Sequence, residues 1–300
     1  IDYNGEGKSG AELQFNNLLK GNEKVETFYK STGNHLANKE KENFNSNLYG
    51  KDVYLTIDIN LQSILFEAIK KGQVASSAKS ANGIILDPHT GEILALAGTP
   101  SFNPNNRIIE NLENLQNKAI SEQYEPGSTL KVIPIFNAIL VEGIDSMMFD
   151  CENGEYHLPQ SKVLIHDHEP HGDLSISEIF IHSSNIGLTK VVDQLGAEHI
   201  YDYARKFGFG IRTGIPLPSE TPGFLRAYSD WSRLSGPSVS MGQEISVNTL
   251  QLALAYSAAA NGGYLPNARI IKNIFRLGFK LKRSKFFISI NISIYFTIPL

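Results

Sequence analysis

The chain has 300 residues, of which 41% are hydrophobic and 19% are charged, and its formal net charge is -4 at pH 7. This length and apolar content predict one large domain and a smaller part, and the charge gives no indication of nucleic-acid binding. Cys151 is the only cysteine, which excludes an intrachain disulfide and favours a thiol packed in the interior.

Residues 1–49 are polar, with Asn, Lys and Glu throughout and a charge run at Lys39-Glu40-Lys41-Glu42. Few apolar side chains are available there to form a core. The segment is therefore either a solvated linker or the end of a smaller, separate region, and both interpretations stay open.

A helix and a hairpin follow this polar segment. The helix is predicted from Asn60 to a stop at Gly72, because apolar residues recur at helical spacing between them. The hairpin is predicted from strands at residues 83–86 and 92–97, which are joined through Asp87-Pro88-His89-Thr90-Gly91. The rest of an antiparallel sheet would come from C-terminal sequence.

Ser128 and Lys131 form a Ser-x-x-Lys pair at the start of the next predicted helix. Residues three apart share one helix face, so the two side chains come within hydrogen-bond reach if the helix begins near Gly127. The apolar residues that follow predict a buried helix with a bend at Pro134. Burial lowers the pKa of a lysine, so its neutral amine becomes available to activate the serine. The alternative is an N-capping serine followed by a solvated lysine.

Ser183-Ser184-Asn185 lies between two predicted helices, at residues 175–181 and 186–195. A loop there presents the Ser183 hydroxyl as a proton shuttle and the Asn185 amide as a hydrogen-bond donor to a substrate carbonyl. The alternative is a simple helix-capping turn.

In this order the two motifs resemble those of the class B penicillin-binding proteins, the peptidoglycan D,D-transpeptidases, and most of all the division-specific FtsI type. Ser183-Ser184-Asn185-Ile186-Gly187 favours that type, because elongation-type relatives usually carry Ser-x-Asp. The resemblance covers most of residues 5–271. The other matching segments are Gly7-Lys8-Ser9-Gly10-Ala11-Glu12, Leu55-Thr56-Ile57-Asp58-Ile59-Asn60-Leu61-Gln62, Asp87-Pro88-His89-Thr90-Gly91-Glu92-Ile93-Leu94-Ala95-Leu96-Ala97, Tyr124-Glu125-Pro126-Gly127-Ser128, Phe207-Gly208-Phe209-Gly210, Gly242-Gln243-Glu244-Ile245-Ser246-Val247, Leu250-Gln251-Leu252-Ala253 and Ala260-Asn261-Gly262-Gly263.

The resemblance implies an α+β fold of the penicillin-binding-protein and β-lactamase-like transpeptidase type, with helices packed on an antiparallel sheet. It implies Ser128 as the acylated nucleophile and Lys131 as its proton acceptor, with Ser183 and Asn185 acting on the leaving amine and the substrate amide. The implied reaction cleaves the D-Ala-D-Ala bond of a peptidoglycan stem peptide and transfers the acyl group to a neighbouring stem, with no metal or organic cofactor. The implied partners are stem peptides, β-lactam antibiotics and cell-division membrane proteins.

The resemblance also divides the chain into three parts. Residues 1–50 would be the end of a non-catalytic, dimerisation-type pedestal or a linker, residues 51–272 an incomplete penicillin-binding transpeptidase domain, and residues 273–300 an unrelated tail. The family's catalytic domain lies on the outer side of the bacterial cytoplasmic membrane, held by an anchor expected upstream of Ile1. Within the chain itself, no apolar run reaches the ~18 residues of a spanning helix.

The family's third motif, Lys-Thr-Gly or Lys-Ser-Gly, does not follow Asn185. Lys8-Ser9-Gly10 lies far upstream, and Arg212-Thr213-Gly214 lies in a turn-rich stretch without strand alternation. From Asn273 the sequence is rich in Phe, Ile, Lys and Ser, which favours a frameshifted or truncated gene. The alternative is a β-rich ending with alternating apolar residues at Ile288, Ile290, Ile292 and Ile294.

Two functions therefore remain open. One is a serine-type D,D-transpeptidase of septal cell-wall synthesis. The other is a catalytically dead remnant, at most a division-complex interaction protein, which lacks the strand that supplies an oxyanion-hole donor and therefore forms no acyl-enzyme.

One polar cluster contains residue types that could bind a metal ion. It consists of His166, Asp167, His168, Glu169 and His171. No second group of ligands is visible in the sequence, so a solvated loop on the substrate side is favoured over a metal site.

Overall fold

The computed structural model describes residues 1, 5–21, 29–30, 36–37, 50–103, 112–159, 161–276 and 293–297. The helices are α1 (Gly10–Gln14), α2 (Asn16–Leu19), α3 (Ile59–Ser76), α4 (Lys118–Ser121), α5 (Val132–Leu140), α6 (Ile176–His182), α7 (Asn185–Leu195), α8 (Ala197–Lys206), α9 (Ser235–Ser240) and α10 (Thr249–Ala260). Shorter 3-10 helices are Leu112–Leu115, Gly127–Lys131, Glu152–Gly154 and Tyr228–Asp230.

The strands are β1 (Tyr29–Lys30), β2 (Leu36–Ala37), β3 (Lys51–Leu55), β4 (Ala81–Leu86), β5 (Ile93–Thr99), β6 (Met148–Asp150), β7 (Glu155–His157), β8 (Leu164–His166), β9 (Asp173–Ser175), β10 (Phe224–Leu225), β11 (Ile245–Ser246), β12 (Ile271–Arg276) and β13 (Ser293–Thr297). The chain divides into two compact units. The first comprises Ile1–Thr56, Pro216–Pro218 and Arg269–Ser289, and the second comprises Ile57–Ile215, Ser219–Ala268 and Ile290–Leu300. The domain boundaries predicted from the sequence stay predictions.

In the first unit, β3 pairs antiparallel with β12, and Val53 lies opposite Ile274. The ring of Tyr54 packs edge-on against that of Phe275, with 5.4 Å between centroids. The sequence analysis predicted no strand at residues 271–276, because the partner strand lies more than 200 residues earlier in the chain and leaves no local signal.

An antiparallel sheet of order β13-β4-β5 forms one layer of the second unit. The predicted hairpin is confirmed, since Gly83 on β4 lies opposite Ala97 on β5. Strand β13 pairs with the other edge of β4, where Tyr295 lies opposite Ile84. Of the predicted alternation in the tail, Ile294 lies on β13. The other three positions, Ile288, Ile290 and Ile292, lie outside the described residues.

Helix α3 begins where the sequence predicts, because the Asp58 carboxylate accepts from two backbone N–H groups of the first turn at 2.8 and 3.1 Å. The prediction that it ends at Gly72 is wrong. The helix continues to Ser76 and ends at Ser77 in the left-handed conformation, with φ 54°. A single glycine lowers helix propensity but does not by itself end a helix.

Glycine at position 83 lets α3 lie close to the sheet. A Cβ atom there would stand 2.8 Å from Leu65 Cδ1 and 3.3 Å from Ile69 Cγ2. Both of these α3 side chains are buried, so the residue without a side chain sets the distance between the two layers.

Neither tripeptide that resembles the third motif lies on a strand. Ser9 of Lys8-Ser9-Gly10 is the residue before the first turn of α1. Arg212-Thr213-Gly214 lies in a loop, where the Thr213 N–H and hydroxyl both donate to Glu220 Oε1 at 2.6 Å. Both were set aside in the sequence analysis, and their conformations agree with that.

Helix α5 follows the 3-10 helix Gly127–Lys131 without a break. Pro134 is the third residue of α5, and a proline is tolerated in the first turn of an α-helix. The prediction that a helix begins near Gly127 is confirmed, and α5 continues through Pro134 to Leu140. The predicted bend at Pro134 stays a prediction. The prediction of burial holds only for the early turns, because Ile139 and Leu140 are 53% and 60% exposed.

Helices α5, α6 and α7 share an apolar core. Its buried members from these helices are Ile135, Ala138, Ile176, Ile179, Ile186, Leu188 and Val191. Cys151 packs in the same cluster and is fully buried, and burial raises the pKa of its thiol. Within the described part of the chain, none of the helices combines the length and the apolarity that crossing a membrane requires.

Substituting Gly187 with alanine should destabilise this core. A Cβ atom at position 187 would stand 2.6 Å from Ile179 Cγ1 and 3.1 Å from Cys151 Sγ. Overpacking of this kind costs about 1–3 kcal/mol, which a urea unfolding titration measures. Gly172→Ala is the control, because nothing lies within 4 Å of its added Cβ. Equal stability of the two variants would contradict the expectation.

Candidate active site

Lys131 is 2% exposed, and its ammonium group has three hydrogen-bond acceptors. Its Nζ atom lies 2.5 Å from the Ser183 carbonyl oxygen, 3.0 Å from Ser183 Oγ and 2.7 Å from Asn185 Oδ1. Three acceptors match the three N–H donors of the ammonium group. The structure therefore brings together three of the four predicted site residues.

Burial lowers the pKa of Lys131 to about 8, although the negative charge of Asp167 opposes the shift. An ammonium group in water has a pKa near 10.4. At pH 7 roughly a tenth of the protein therefore carries the neutral amine, which is the form that accepts a proton. The expected depression of the lysine pKa is confirmed.

Ser128 is the second residue of the 3-10 helix Gly127–Lys131 and is exposed. Its hydroxyl is not among the hydrogen-bond partners of Lys131 in this structure, since all three bonds of the ammonium group go to Ser183 and Asn185. The pair thus shares one short helix, as predicted, but the lysine is directed toward the loop. Loss of one proton from Lys131 would free a lone pair for Ser128.

The residues just before Ser128 are hydrogen-bonded to the segment that follows α9. Gly127 N–H donates to the Gly242 carbonyl at 3.1 Å, and Tyr124 and Val247 exchange two backbone hydrogen bonds. Gly242 has φ 78°, and a Cβ atom there would stand 2.1 Å from the Gly127 oxygen. Only glycine permits this contact, so Gly242 fixes the start of the helix that carries Ser128.

The junction of α6 and α7 presents the other two residues, with Ser183 in the connection and Asn185 as the first residue of α7. Ser175 and Glu178 form a capping box that starts α6, and Ser183 ends it in the left-handed conformation with φ 54°. Ser184 caps α7, since its Oγ accepts from Gly187 N–H at 2.8 Å. The predicted connection between two helices is confirmed for Ser183 and Ser184, whereas Asn185, which was predicted in the loop, is the first residue of α7. The capping alternative is correct for Ser184.

The Asn185 amide is oriented by two hydrogen bonds. Its Oδ1 accepts from Lys131, and its Nδ2 donates to the His166 carbonyl at 2.9 Å. An amide has two N–H donors, and the second has no hydrogen-bond partner among the described residues. That donor is available to a substrate carbonyl, which is the role predicted for Asn185.

Asp167 binds the beginning of α7. Its Oδ1 accepts from the Asn185 and Ile186 N–H groups at 2.5 and 3.0 Å, and its Oδ2 accepts from the Ser184 hydroxyl at 2.5 Å. The neighbouring histidines, His166 and His168, are exposed. Among the residues that the structure describes, no three His, Cys, Asp or Glu side chains are grouped as metal ligands.

The comparisons with known proteins agree with this geometry. The family profile of the penicillin binding protein transpeptidase domain matches residues 82–286. The chain belongs to this family. It is 33% identical over 278 residues to the probable peptidoglycan D,D-transpeptidase PbpC of Pseudomonas aeruginosa, covering 91% of this chain and 48% of that protein. It is 32% identical over 271 residues to the peptidoglycan D,D-transpeptidase FtsI of Buchnera aphidicola, covering 90% of this chain and 47% of that protein.

The same relationship holds for solved structures. Penicillin-binding protein 3 of Mycobacterium tuberculosis superposes with a TM-score of 0.77 and 28% sequence identity, covering 95% of this chain and 60% of that one. The chain spans about half the length of the curated relatives that it matches. The resemblance to class B penicillin-binding proteins and the α+β transpeptidase fold are thereby confirmed.

Within the penicillin-binding protein family, Ser-x-x-Lys and Ser-x-Asn are motifs of the acyl-transfer site, and Ser128, Lys131, Ser183 and Asn185 occupy them here. Their individual roles stay predictions. The sequence analysis missed Asp167 as a partner of this transpeptidase loop and considered it only as a metal ligand. A carboxylate favours a helix N-terminus, but here the carboxylate lies 18 residues before Asn185 in sequence, so no local motif identified it.

Proposed function

We propose that this protein is a peptidoglycan D,D-transpeptidase that forms an acyl-enzyme on Ser128. The observation that carries the proposal is the buried Lys131, which lies three residues after an exposed serine and is bonded to both Ser183 and Asn185. A lysine with a pKa near 8 suits general-base work close to neutral pH. Two relatives, at 33% and 32% identity, are named as a probable peptidoglycan D,D-transpeptidase and a peptidoglycan D,D-transpeptidase, which supports the same chemistry here.

In the proposed first step, neutral Lys131 takes the hydroxyl proton of Ser128, and Ser128 Oγ attacks the carbonyl carbon of the D-Ala-D-Ala amide. The tetrahedral intermediate collapses with cleavage of the C–N bond. The leaving amine takes a proton from the Lys131 ammonium group through the Ser183 hydroxyl, which is 3.0 Å from Nζ. D-alanine leaves, and an ester on Ser128 remains.

In the second step, an amine of a neighbouring stem peptide attacks the ester. A new amide C–N bond forms, the ester C–O bond breaks, and Ser128 regains its proton. The free N–H of Asn185 would bind the substrate backbone during both steps. Protons and electron pairs move only between these side chains and the two peptides, so the scheme requires no metal or organic cofactor.

β-Lactams would react at the same serine. Their strained amide is opened by Ser128 Oγ, and the leaving nitrogen stays tethered to the acyl group. Penicillin-binding protein 3 of Mycobacterium tuberculosis has been solved in complexes with ampicillin and with aztreonam, at TM-scores of 0.78 and 0.77 to this chain. That likeness supports β-lactam binding here.

We place this activity on the outer face of the bacterial cytoplasmic membrane, in septal wall synthesis with membrane proteins of cell division as partners. The support is the similarity to an FtsI protein and the Ser-x-Asn form of the loop motif. Fractionation with an antibody against this chain, followed by fluorescence microscopy of dividing cells, tests it. Uniform cytoplasmic signal would contradict both the location and the division role.

The test of the function is covalent labelling. The purified protein is mixed with a fluorescent penicillin at pH 8, and the adduct mass is determined on the intact chain. Stoichiometric labelling, with release of D-alanine from a stem-peptide donor in the presence of an acceptor amine, is the expected result. Release of D-alanine without cross-linked product would instead indicate a D,D-carboxypeptidase.

A second candidate function is that of a non-catalytic interaction protein of the division complex. The observation that favours it concerns the family's third motif, Lys-Thr-Gly or Lys-Ser-Gly, which lies on a strand of the sheet. Strand β13 beside β4 contains no lysine, so it does not supply that chemistry. Folded protein that remains unlabelled at saturating penicillin would favour this candidate.

A further inference from the structure

The Asp167 carboxylate accepts three hydrogen bonds at the start of α7. One carboxylate oxygen accepts from two backbone N–H groups of α7, and the other accepts from the Ser184 hydroxyl. Ser184 is 2% exposed and itself caps the same helix through Gly187 N–H. The carboxylate and the serine together therefore fix where α7 begins.

His166, the residue before Asp167, also binds Asn185, through its backbone carbonyl. The His166 carbonyl accepts from Asn185 Nδ2 at 2.9 Å, which leaves Asn185 Oδ1 directed to Lys131 at 2.7 Å. Asp167 is in turn anchored by its backbone, since its N–H donates to the Gly154 carbonyl at 3.1 Å. The β7–β8 hairpin thus delivers two consecutive residues to Asn185.

The charge of Asp167 also acts on Lys131. The carboxylate is not a hydrogen-bond partner of Lys131, but its negative charge raises the pKa of the lysine against the larger effect of burial. Burial raises the pKa of the Cys151 thiol, and the charge of Asp167 adds to that shift; His166 and His168 flank Asp167 in sequence. Asn185 stands between the two charges, with its backbone N–H on Asp167 and its Oδ1 on Lys131.

We propose that Asp167 is a positioning residue of the acyl-transfer site, which holds Ser183, Ser184 and Asn185 in register with Lys131 and balances the lysine charge. This inference rests on the proposed function for its catalytic meaning. Asp167 does not contact the reacting atoms itself. It sets the geometry of the residues that do.

The test separates charge from capping. In Asp167→Asn the amide oxygen still accepts from the α7 N–H groups, because asparagine is a good helix cap, but the charge is lost. Asp167→Ala loses both. Asp173→Asn is the matched control, since Asp173 is an exposed aspartate on the neighbouring strand β9.

Two measurements need no catalytic activity. Hydrogen exchange of the Asn185 and Ile186 amides should accelerate about 10- to 100-fold in Asp167→Ala, which is the effect of losing hydrogen bonds to a charged acceptor. The Lys131 side chain, titrated by NMR on lysine-labelled protein, should have a lower pKa in Asp167→Asn than in the wild type. The Asp173→Asn control should change neither quantity.

A third measurement is the rate of acylation by a penicillin against pH. Its midpoint should move down with the NMR midpoint in Asp167→Asn, and its plateau should fall about tenfold or more in Asp167→Ala. If the wild type does not label but exchange and titration respond as expected, the proposed function fails and the positioning inference stands.

The positioning inference is overturned if Asp167→Asn leaves the Lys131 titration unchanged, because Asp167 then only caps the helix. It is equally overturned if the wild type labels and Asp167→Ala matches Asp173→Asn in exchange and acylation. If Asp167→Ala fails to fold, Asp167→Asn still decides the outcome through the Lys131 titration and the pH–rate midpoint.

Discussion

Replacing Ser128 with alanine should abolish covalent labelling of the protein by a fluorescent penicillin. Ser128 is an exposed serine on the 3-10 helix that ends at the buried Lys131. Ser183, by contrast, uses its oxygen atoms to accept from the Lys131 ammonium group, which suits a proton shuttle more than a nucleophile. Without the Ser128 hydroxyl no ester forms, so the expected loss is complete.

The measurement is intact-protein mass spectrometry after incubation with the penicillin, followed by peptide mapping of the adduct. Ser146→Ala is the control, because Ser146 is an exposed serine whose hydroxyl donates to the Gly143 carbonyl, and it should label like the wild type. An adduct that persists in Ser128→Ala would show that the nucleophile has been misassigned.

Local sequence patterns predicted the elements that carry the site. The β4–β5 hairpin and the loop between α6 and α7 were foreseen because turn residues and helix caps act over a few positions. The capping box between Ser175 and Glu178 spans three residues. The Ser128–Lys131 spacing is equally local, so its placement at a helix start was also predictable.

The contacts that assemble the site were not predictable in this way. Lys131 meets Ser183 across 52 residues of sequence, and Asp167 meets Asn185 across 18. Such pairings depend on how α5, α7 and the β7–β8 hairpin pack. The residues next to Lys131 or Asp167 in sequence contain no signal that identifies the partner. Sequence alone therefore suggested a hydrogen bond from Lys131 to Ser128, whereas the packed structure directs the lysine to the loop.

The strand β12 was missed for a related reason. Its residues lie opposite β3, which is far away in sequence. A search within one segment detects a strand only when apolar and polar residues alternate there, and it cannot detect the distant partner. The family context did identify Gly242-Gln243-Glu244 as characteristic, but only the structure shows that Gly242 is needed for its close approach to Gly127.

Replacing Lys131 with alanine should lower the rate of penicillin acylation by about 10²- to 10⁴-fold, which is the usual contribution of a positioned base. Ser183 and Asn185 would also lose the group that fixes them. Lys190→Ala is the matched control. Lys190 is a lysine on α7 that bonds to Asp150 and Glu152 instead, and its loss should leave the rate within a few-fold of the wild type.

The pH dependence identifies which form of Lys131 acts. Its pKa is about 8 in the folded protein and 10.5 as the ordinary value, so the neutral amine accumulates as the pH rises through about 8. The acylation rate should therefore climb between about pH 7 and pH 9 and then level off. In Lys131→Ala this rise should disappear, and a wild-type rate that is flat over this range would contradict the role of the amine as base.

The same pKa shift predicts how stability depends on pH. The folded protein binds fewer protons at Lys131 than the unfolded chain does between about pH 8 and 10.5, so the Lys131 contribution to the free energy of unfolding rises with pH in that window. Below about pH 8 both states are protonated, and burial of the charge imposes its full cost. Urea titrations at pH 7, 9 and 10 should show that Lys131→Met removes this rise, whereas an identical slope in both proteins would mean that the ammonium group is fully solvated.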